Sequence, residues 1–234
     1  MYNIRKSSER GHFNHGWLDT FHSFSFAEYY DPQHMGFSVL RVINEDRVAA
    51  GTGFGTHPHR DMEIITIILS GALQHKDSMG NGSIIRPGDV QRMTAGRGVT
   101  HSEVNPSSTD PVHLLQIWLL PEQRSLEPSY EQKSFSEESY TNQFALLASH
   151  QGSDGSVLIH QDVSLYRAKL SASTELIKPL SSTRKGYLHV IHGAIKVNKT
   201  ISLTTGDALK ISEEASLELI ADTDSECIFF DLPN

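Results

Sequence analysis

The sequence predicts an all-β chain arranged as a sandwich or barrel. Three observations carry that expectation. Short runs rich in Val, Ile, Leu and aromatic residues recur along the chain. Clusters of Gly, Pro, Asn and Asp separate them. No stretch holds an apolar 3.6-residue period over three helical turns, so the two-residue period and turn chemistry set the reading throughout.

Residues 37–43 form a β-rich run predicted to stop at the polar cluster Asn44-Glu45-Asp46. Residues 64–69 are β-branched on both parities, as in a strand covered on both faces, and end at Ser70-Gly71. Residues 72–77 follow, then the turn Met79-Gly80-Asn81-Gly82, a short run at Ile84-Ile85, and the turn Pro87-Gly88-Asp89. Residues 112–120 are the next long strand, closed by Pro121. Residues 123–143 are rich in Glu and Gln, carry Pro128 and hold few aliphatics. They are expected to be a surface connector between a first domain, 1–122, and a second, 144–234.

Strand-like runs resume at 144–147, 157–160 and 165–170, and then a segment echoes the first half. Ile191-His192-Gly193-Ala194-Ile195 lies over Leu69-Ser70-Gly71-Ala72-Leu73, and Gly206-Asp207-Ala208 over Gly88-Asp89-Val90. Both halves read strand, Gly-Ala, strand, turn, Gly-Asp, strand, which is the signature of an internal duplication.

Composition narrows the function. The 234 residues carry 20 Lys+Arg against 28 Asp+Glu, a net charge of −8, which argues against a nucleic-acid or anionic-membrane surface. The single cysteine, Cys227, excludes a disulfide framework and a cysteine-rich zinc module, and reads as a small buried hydrophobe. The N-terminus is polar, with no apolar core of a secretory signal, and no apolar run reaches the ~18 residues of a membrane span, so a cytoplasmic protein is expected.

Thirteen histidines stand out, but few have useful spacing. In Thr56-His57-Pro58-His59, His57 and His59 lie two apart and share one face of a strand. Pro58 removes a ladder donor and marks an edge, a bulge or a barrel mouth. His101 and Glu103 repeat that two-residue spacing after the glycines 96 and 98. If the two pairs meet across neighbouring strands, three imidazoles and a carboxylate suit iron, manganese, nickel, copper or zinc and serve calcium or magnesium poorly. Glu63 shares parity with His57 and His59 and is the rival carboxylate, either as a ligand or hydrogen-bonded to one. Glu103 is preferred because Glu63 leads directly into the most buried-looking strand. Trp17, Phe21, Phe24, Phe26, Tyr29 and Tyr30 crowd the first thirty residues around His22, either as a flap over the barrel end or as the lining of an aromatic substrate pocket. Gln116 alternates with Trp118, so both can point into one interior, Gln116 as a ligand contact or a satisfied core amide.

These motifs resemble a known family. Gly51-x5-His57-x-His59-x3-Glu63-x7-Gly71 resembles the first cupin motif, with one residue more than usual before the closing Gly, and Gly98-x2-His101-x3-Asn105 resembles the end of the second. More closely, residues 56–63, Thr94-Ala95-Gly96-x-Gly98-x2-His101-Ser102-Glu103 and residues 115–118 resemble the pirin family, as do residues 14–19 and 24–27. The likeness spans nearly the whole first half; the second shares only its glycine and strand rhythm. The resemblance implies a bicupin, two β-barrel (double-stranded β-helix, or jelly-roll) domains in one chain, with metal only in the first. It implies that His57, His59, His101 and Glu103 bind one divalent cation, Fe(II) by preference, with Zn, Ni, Cu, Co or Mn as alternatives.

The activity the resemblance implies is that of a quercetin 2,3-dioxygenase, which opens a flavonol ring with O2 and releases carbon monoxide. Glu103, or less readily Glu63, would accept the substrate proton, and His22, Phe24 and Gln116 would line the substrate pocket. Partners are then a small aromatic substrate and O2, with no nucleic acid and no membrane. Two other readings compete: a non-enzymatic regulator whose metal oxidation state tunes binding to a protein partner, and a hydrolase or isomerase using the metal as a Lewis acid.

Overall fold

The computed structural model describes residues 1–234, which divide into two compact units. One comprises residues 11–135 and 157–161; the other comprises 1–10, 136–156 and 162–234. In chain order the first strands are β1 (Tyr2–Arg5), β2 (Gly11–Asn14), β3 (Leu18–His22), β4 (Leu40–Val48), β5 (Gly53–His59) and β6 (Glu63–Ser70). They are followed by β7 (Leu73–Asp77), β8 (Gly82–Ile85), β9 (Asp89–Thr94), β10 (Val99–Val104), β11 (Val112–Leu119) and β12 (Ser129–Ser134). A four-residue helix, Glu137–Tyr140, is the one α-helix. Then come β13 (Ala145–Ser149), β14 (Val157–Leu158), β15 (Ser164–Leu170), β16 (Glu175–Pro179), β17 (Lys185–His192), β18 (Ala194–Val197), β19 (Ile201–Thr204), β20 (Ala208–Ser212), β21 (Ser216–Ala221) and β22 (Ser225–Leu232).

Within the first unit a seven-stranded sheet runs β12-β9-β6-β11-β4-β3-β2, accompanied by a four-stranded sheet β5-β10-β7-β8. The second unit repeats both orders, as β1-β20-β17-β22-β15-β13 and β16-β21-β18-β19. Gly71 (φ +80°) and Gly193 (φ +86°) turn the chain at the same point of each repeat, in a conformation that penalises any side chain. The Gly-Asp turns match in detail: Asp89 Oδ2 accepts from the Arg86 N–H at 2.9 Å, and Asp207 Oδ2 from the Thr204 N–H at 3.0 Å.

Interiors separate the repeats. In the second unit Ile195 and Val197 of β18 and Leu217 and Leu219 of β21, all fully buried, pack with Leu188, Leu203 and Phe229 into one apolar core. The equivalent strands of the first unit, β7 and β10, carry His75, His101 and Glu103 there instead, also buried.

Three segments differ from the sequence expectation. Asn44-Glu45-Asp46 is no turn; it lies inside β4, with all three side chains buried. Strand structure survives because each polar group is partnered: His22 Nδ1 with Asn44 Oδ1 at 2.7 Å, His113 Nε2 with Glu45 Oε1 at 2.9 Å, and the Thr20 hydroxyl donating to Asp46. Residues 123–143 contain β12, which pairs along its whole length with β9. The polar run Ser129–Ser134 is that of an edge strand with one neighbour. At the other extreme of the chain, residues 1–10, expected in the first domain, fall in the second unit, where β1 pairs with β20 from Tyr2↔Ile211 to Arg5↔Ala208.

β5 and β10 are held close at one glycine. A Cβ on Gly53 would come within 2.6 Å of Val104 Cα and nearer still to the Glu103 carbonyl oxygen. Gly53→Ala is therefore expected to cost about 1–3 kcal/mol by overpacking, roughly 3–9 °C in Tm for a chain of this size. A thermal melt checks it; an unchanged Tm would show that the strands separate freely.

Candidate metal centre

β5 and β10 are adjacent and antiparallel, with His101 directly opposite His57 and His59 opposite Val99. The register slips between His101 and Glu103, because Glu103 faces Phe54 rather than the residue two from His57. One extra residue in β5 makes this a β-bulge. It has two consequences. Phe54, three residues from His57, lines the same cavity as His57 and His59, which strict alternation forbids. The bulge also places the Gly55 carbonyl 2.8 Å from His57 Nδ1, so that this nitrogen donates and Nε2 is left for a ligand.

The three imidazoles form a triangle, with ring centroids 4.4 Å (His57–His101), 4.7 Å (His57–His59) and 4.7 Å (His59–His101) apart. One ring nitrogen of each lies within 4.8 Å of the others. His57 Nε2 and His101 Nε2 stand only 3.0 Å apart. Two nitrogens bound at right angles to one ion, each at about 2.1 Å, have a separation of about 3.0 Å. Burial and the neighbouring His57 push His59 down to about 4, and burial with the adjacent imidazoles pushes His101 down to about 3. Both rings are therefore neutral at neutral pH, with lone pairs available to a cation.

Glu103 forms its close group with His101 and His75 rather than with the whole triangle. Its Oε2 accepts from Gln116 Nε2 at 2.9 Å, while Oε1 is buried with no hydrogen-bond partner. Burial pushes its carboxyl up to about 7, against the opposing effects of Gln116 and the nearby Thr66 hydroxyl. An orphaned buried carboxylate oxygen beside neutral imidazoles fits a nitrogen/oxygen-liganded divalent ion, whose charge would satisfy that oxygen.

Glu63 is placed elsewhere. The chain turns at Asp61 (φ +50°) between β5 and β6, so parity counted from His59 no longer holds. Glu63 Oε2 accepts from the His160 backbone N–H at 3.1 Å, and His160 Nδ1 lies 3.4 Å from the same oxygen.

The triangle opens onto a cavity of about 280 Å³. Leu18, Thr20, His22, Asn44 and Asp46 of β3 and β4 form one wall, Gln116 and Trp118 of β11 another, and Phe26 and Phe54 complete the apolar lining. Gln116 is a satisfied amide, since its Oε1 also accepts from Trp118 Nε1 at 3.3 Å. Phe26 packs edge-on against Trp118 at 5.2 Å, and Trp118 against His59 at 5.0 Å. Of the expected pocket residues, His22 and Gln116 line the cavity and Phe24 does not. β3 ends at His22, so alternation stops there; Phe24 is 1% exposed in the core and Phe26 takes the pocket position. Among the other aromatics, Tyr30 is 73% exposed and Phe21 stacks on His12.

Sequence reasoning missed two groups. Asp46 lines the cavity; burial pushes it up to about 7, and the nearby charges of Glu103 and Glu45 add to the effect. His75 is fully buried, with Nδ1 3.5 Å from His101 Nδ1 and Nε2 3.1 Å from Asp77 Oδ2, and it forms a second close group with His101 and Glu103. His75 and Asp77 have the same two-residue spacing as the other pairs, and that signal was available in the sequence.

Comparison with known proteins places this geometry. Residues 3–119 match the family model described as Pirin, and residues 146–232 match that described as the quercetinase C-terminal cupin domain. A quercetin 2,3-dioxygenase of Escherichia coli K12 is 47% identical over 233 residues, covering 100% of this chain and 99% of that protein. The crystal structure of the bacterial pirin YhhW from Escherichia coli in complex with nickel(II) has a TM-score of 0.95 at 47% identity, covering 100% of this chain and 99% of that one. YhaK, also from Escherichia coli, has a TM-score of 0.78 at 29% identity, covering 94% of this chain and 96% of that one.

Proposed function

Because the chain belongs to the pirin family, we propose that it is a metal-dependent dioxygenase that opens a flavonol ring with O2 and releases carbon monoxide, and that its two units are the barrels of a bicupin. The observation that carries this reading is the donor set itself: His57, His59, His101 and the orphaned oxygen of Glu103 at one edge of an aromatic-walled cavity. The bound ion, a divalent cation with Fe(II) as the first candidate, supplies Lewis acidity that lowers the pKa of a coordinated hydroxyl and, for a redox-active metal, electron transfer toward O2.

The chain's own residues do the rest. Phe26, Phe54 and Trp118 sandwich a flat aromatic and exclude water. At about 280 Å³ the cavity lies near the low end of the ~300–1,000 Å³ range of ligand pockets. Thr20, His22, Asn44 and Asp46 set polar groups where the rim hydroxyls of a polyphenol would lie. Glu103 and Asp46, both at the cavity, are the carboxylates within reach to accept a hydroxyl proton. Glu63, turned onto His160, is the second candidate.

Metal-loaded protein mixed with quercetin is expected to consume about one O2 per flavonol, bleach the flavonol absorbance and release carbon monoxide. Elemental analysis of untreated protein would name the resident metal. Absence of O2 uptake with each of iron, nickel, copper, cobalt and manganese would overturn the reading.

A further inference from the structure

A metal-binding histidine needs its ring orientation and its tautomer fixed by whatever its other nitrogen meets. For His57 that partner is the Gly55 carbonyl; for His101 it is a second histidine, His75, itself backed by Asp77. We propose that Asp77 and His75 form a hydrogen-bonded relay that holds the proton of His101 on Nδ1 and so presents Nε2 to the ion, making both of them positioning residues of the metal centre. This rests on the metal-centre reading above and extends it to residues that line no part of the cavity.

The direction of each bond follows from the last group in the chain. Asp77 Oδ1 accepts the backbone N–H groups of Met79 (2.9 Å) and Asn81 (3.0 Å), and Oδ2 accepts Asn81 Nδ2 (2.9 Å). Burial works against its charge, but these bonds and the one from His75 outweigh it and hold the carboxyl below the usual range. An ionised carboxylate only accepts, so His75 Nε2 donates to it. His75 is fully buried, and burial favours the neutral imidazole with a single N–H. Its Nδ1 is then a bare acceptor, and the bond to His101 Nδ1 exists only if His101 donates. That leaves the lone pair of His101 on Nε2, the nitrogen 3.0 Å from His57 Nε2.

Backbone pairing builds the relay, since β7 and β10 set Asp77 opposite His101 and His75 opposite Glu103. The Tyr130 ring, 5.1 Å from His75, closes the other side.

Two variants separate this role from packing. Asp77→Asn keeps size and removes the charge. Its oxygen must stay on the two backbone N–H groups, so its amide nitrogen faces His75 Nε2 and demands an acceptor there. The His75 proton moves to Nδ1, His101 loses its acceptor, and a proton is left on the ligating Nε2. His75→Phe keeps a ring against Tyr130 and removes the acceptor outright. Titration with Ni2+ by calorimetry, with Co2+ visible spectra as a second readout, is expected to show affinity lowered about 10–100-fold in both variants. The melting temperature of metal-free His75→Phe should stay within a few degrees of wild type, so that its loss of affinity reports the missing acceptor and not lost packing. Affinities within twofold of wild type in His75→Phe would overturn the relay and leave the metal centre standing. Failure of the wild-type protein to bind either ion would overturn the metal centre itself.

Discussion

His101→Ala is expected to abolish stoichiometric binding of a divalent ion and, with it, flavonol turnover, while the β-sheet circular dichroism is kept. His101 is the hub of the site: its Nε2 faces His57, and it belongs to both close groups, His57–His59–His101 and His75–His101–Glu103. Apparent binding of a four-ligand ion is worth about 10–16 kcal/mol, so one ligand of four carries roughly 3–4 kcal/mol, a loss of a few hundred- to a thousandfold in affinity. The fold should tolerate the change, because it removes a buried polar ring that burial and the adjacent imidazoles hold uncharged. His59→Ala should behave alike. Full-stoichiometry metal at wild-type affinity in both variants would show that the ion sits elsewhere. Glu63→Gln is the control: Glu63 is turned onto His160, so the variant should retain its metal.

The candidate ligand pairs were legible because each sits two residues apart on one strand, so same-face geometry follows from local sequence alone. Apart from His75 and Asp77, which carry that same two-residue spacing, what escaped depends on register or on long-range pairing. Phe54 reaches the cavity only through the bulge in β5, which changes parity without any mark in the residue types. Asn44-Glu45-Asp46 has the composition of a turn, and strand becomes possible only because Thr20, His22 and His113 arrive from β3 and β11 to partner the three polar side chains. The same cluster then supplies part of the cavity wall. β12 lacks apolar alternation because it is an edge strand, and β1 finds its neighbour β20 some two hundred residues along the chain. The duplication was readable from its Gly-Ala and Gly-Asp punctuation, since these turns need positive φ or a short acceptor whatever surrounds them.

Metal uptake is expected to depend on pH through Glu103. In the metal-free protein its carboxyl is pushed up to about 7 by burial, and a ligating carboxylate must be ionised, so binding below that pH expels one proton. His59, near 4, and His101, near 3, are already neutral across this window and add no slope. Apparent affinity should therefore fall about fivefold from pH 7 to 6 and about ninefold again to 5, and level off above about 8. Glu103→Gln should bind more weakly with a flat profile, whereas Asp46→Asn should keep most of the slope. Stability of the metal-free protein carries the same signature with a defined sign. Glu103 and Asp46 have folded pKa values near 7, raised from 4.5 and 3.8, so their contribution is full below the unfolded values and is lost as pH rises through 7. The two histidines act oppositely, but only below their unfolded value of 6.5. Between pH 6.5 and 8 the carboxylates stand alone among these four groups: their share of metal-free stability should fall by on the order of 1 kcal/mol, and an added divalent ion should raise Tm more at pH 8 than at pH 6.5. Equal metal-induced shifts at both pH values, together with a wild-type binding slope no steeper than that of Glu103→Gln, would remove Glu103 from the coordination set.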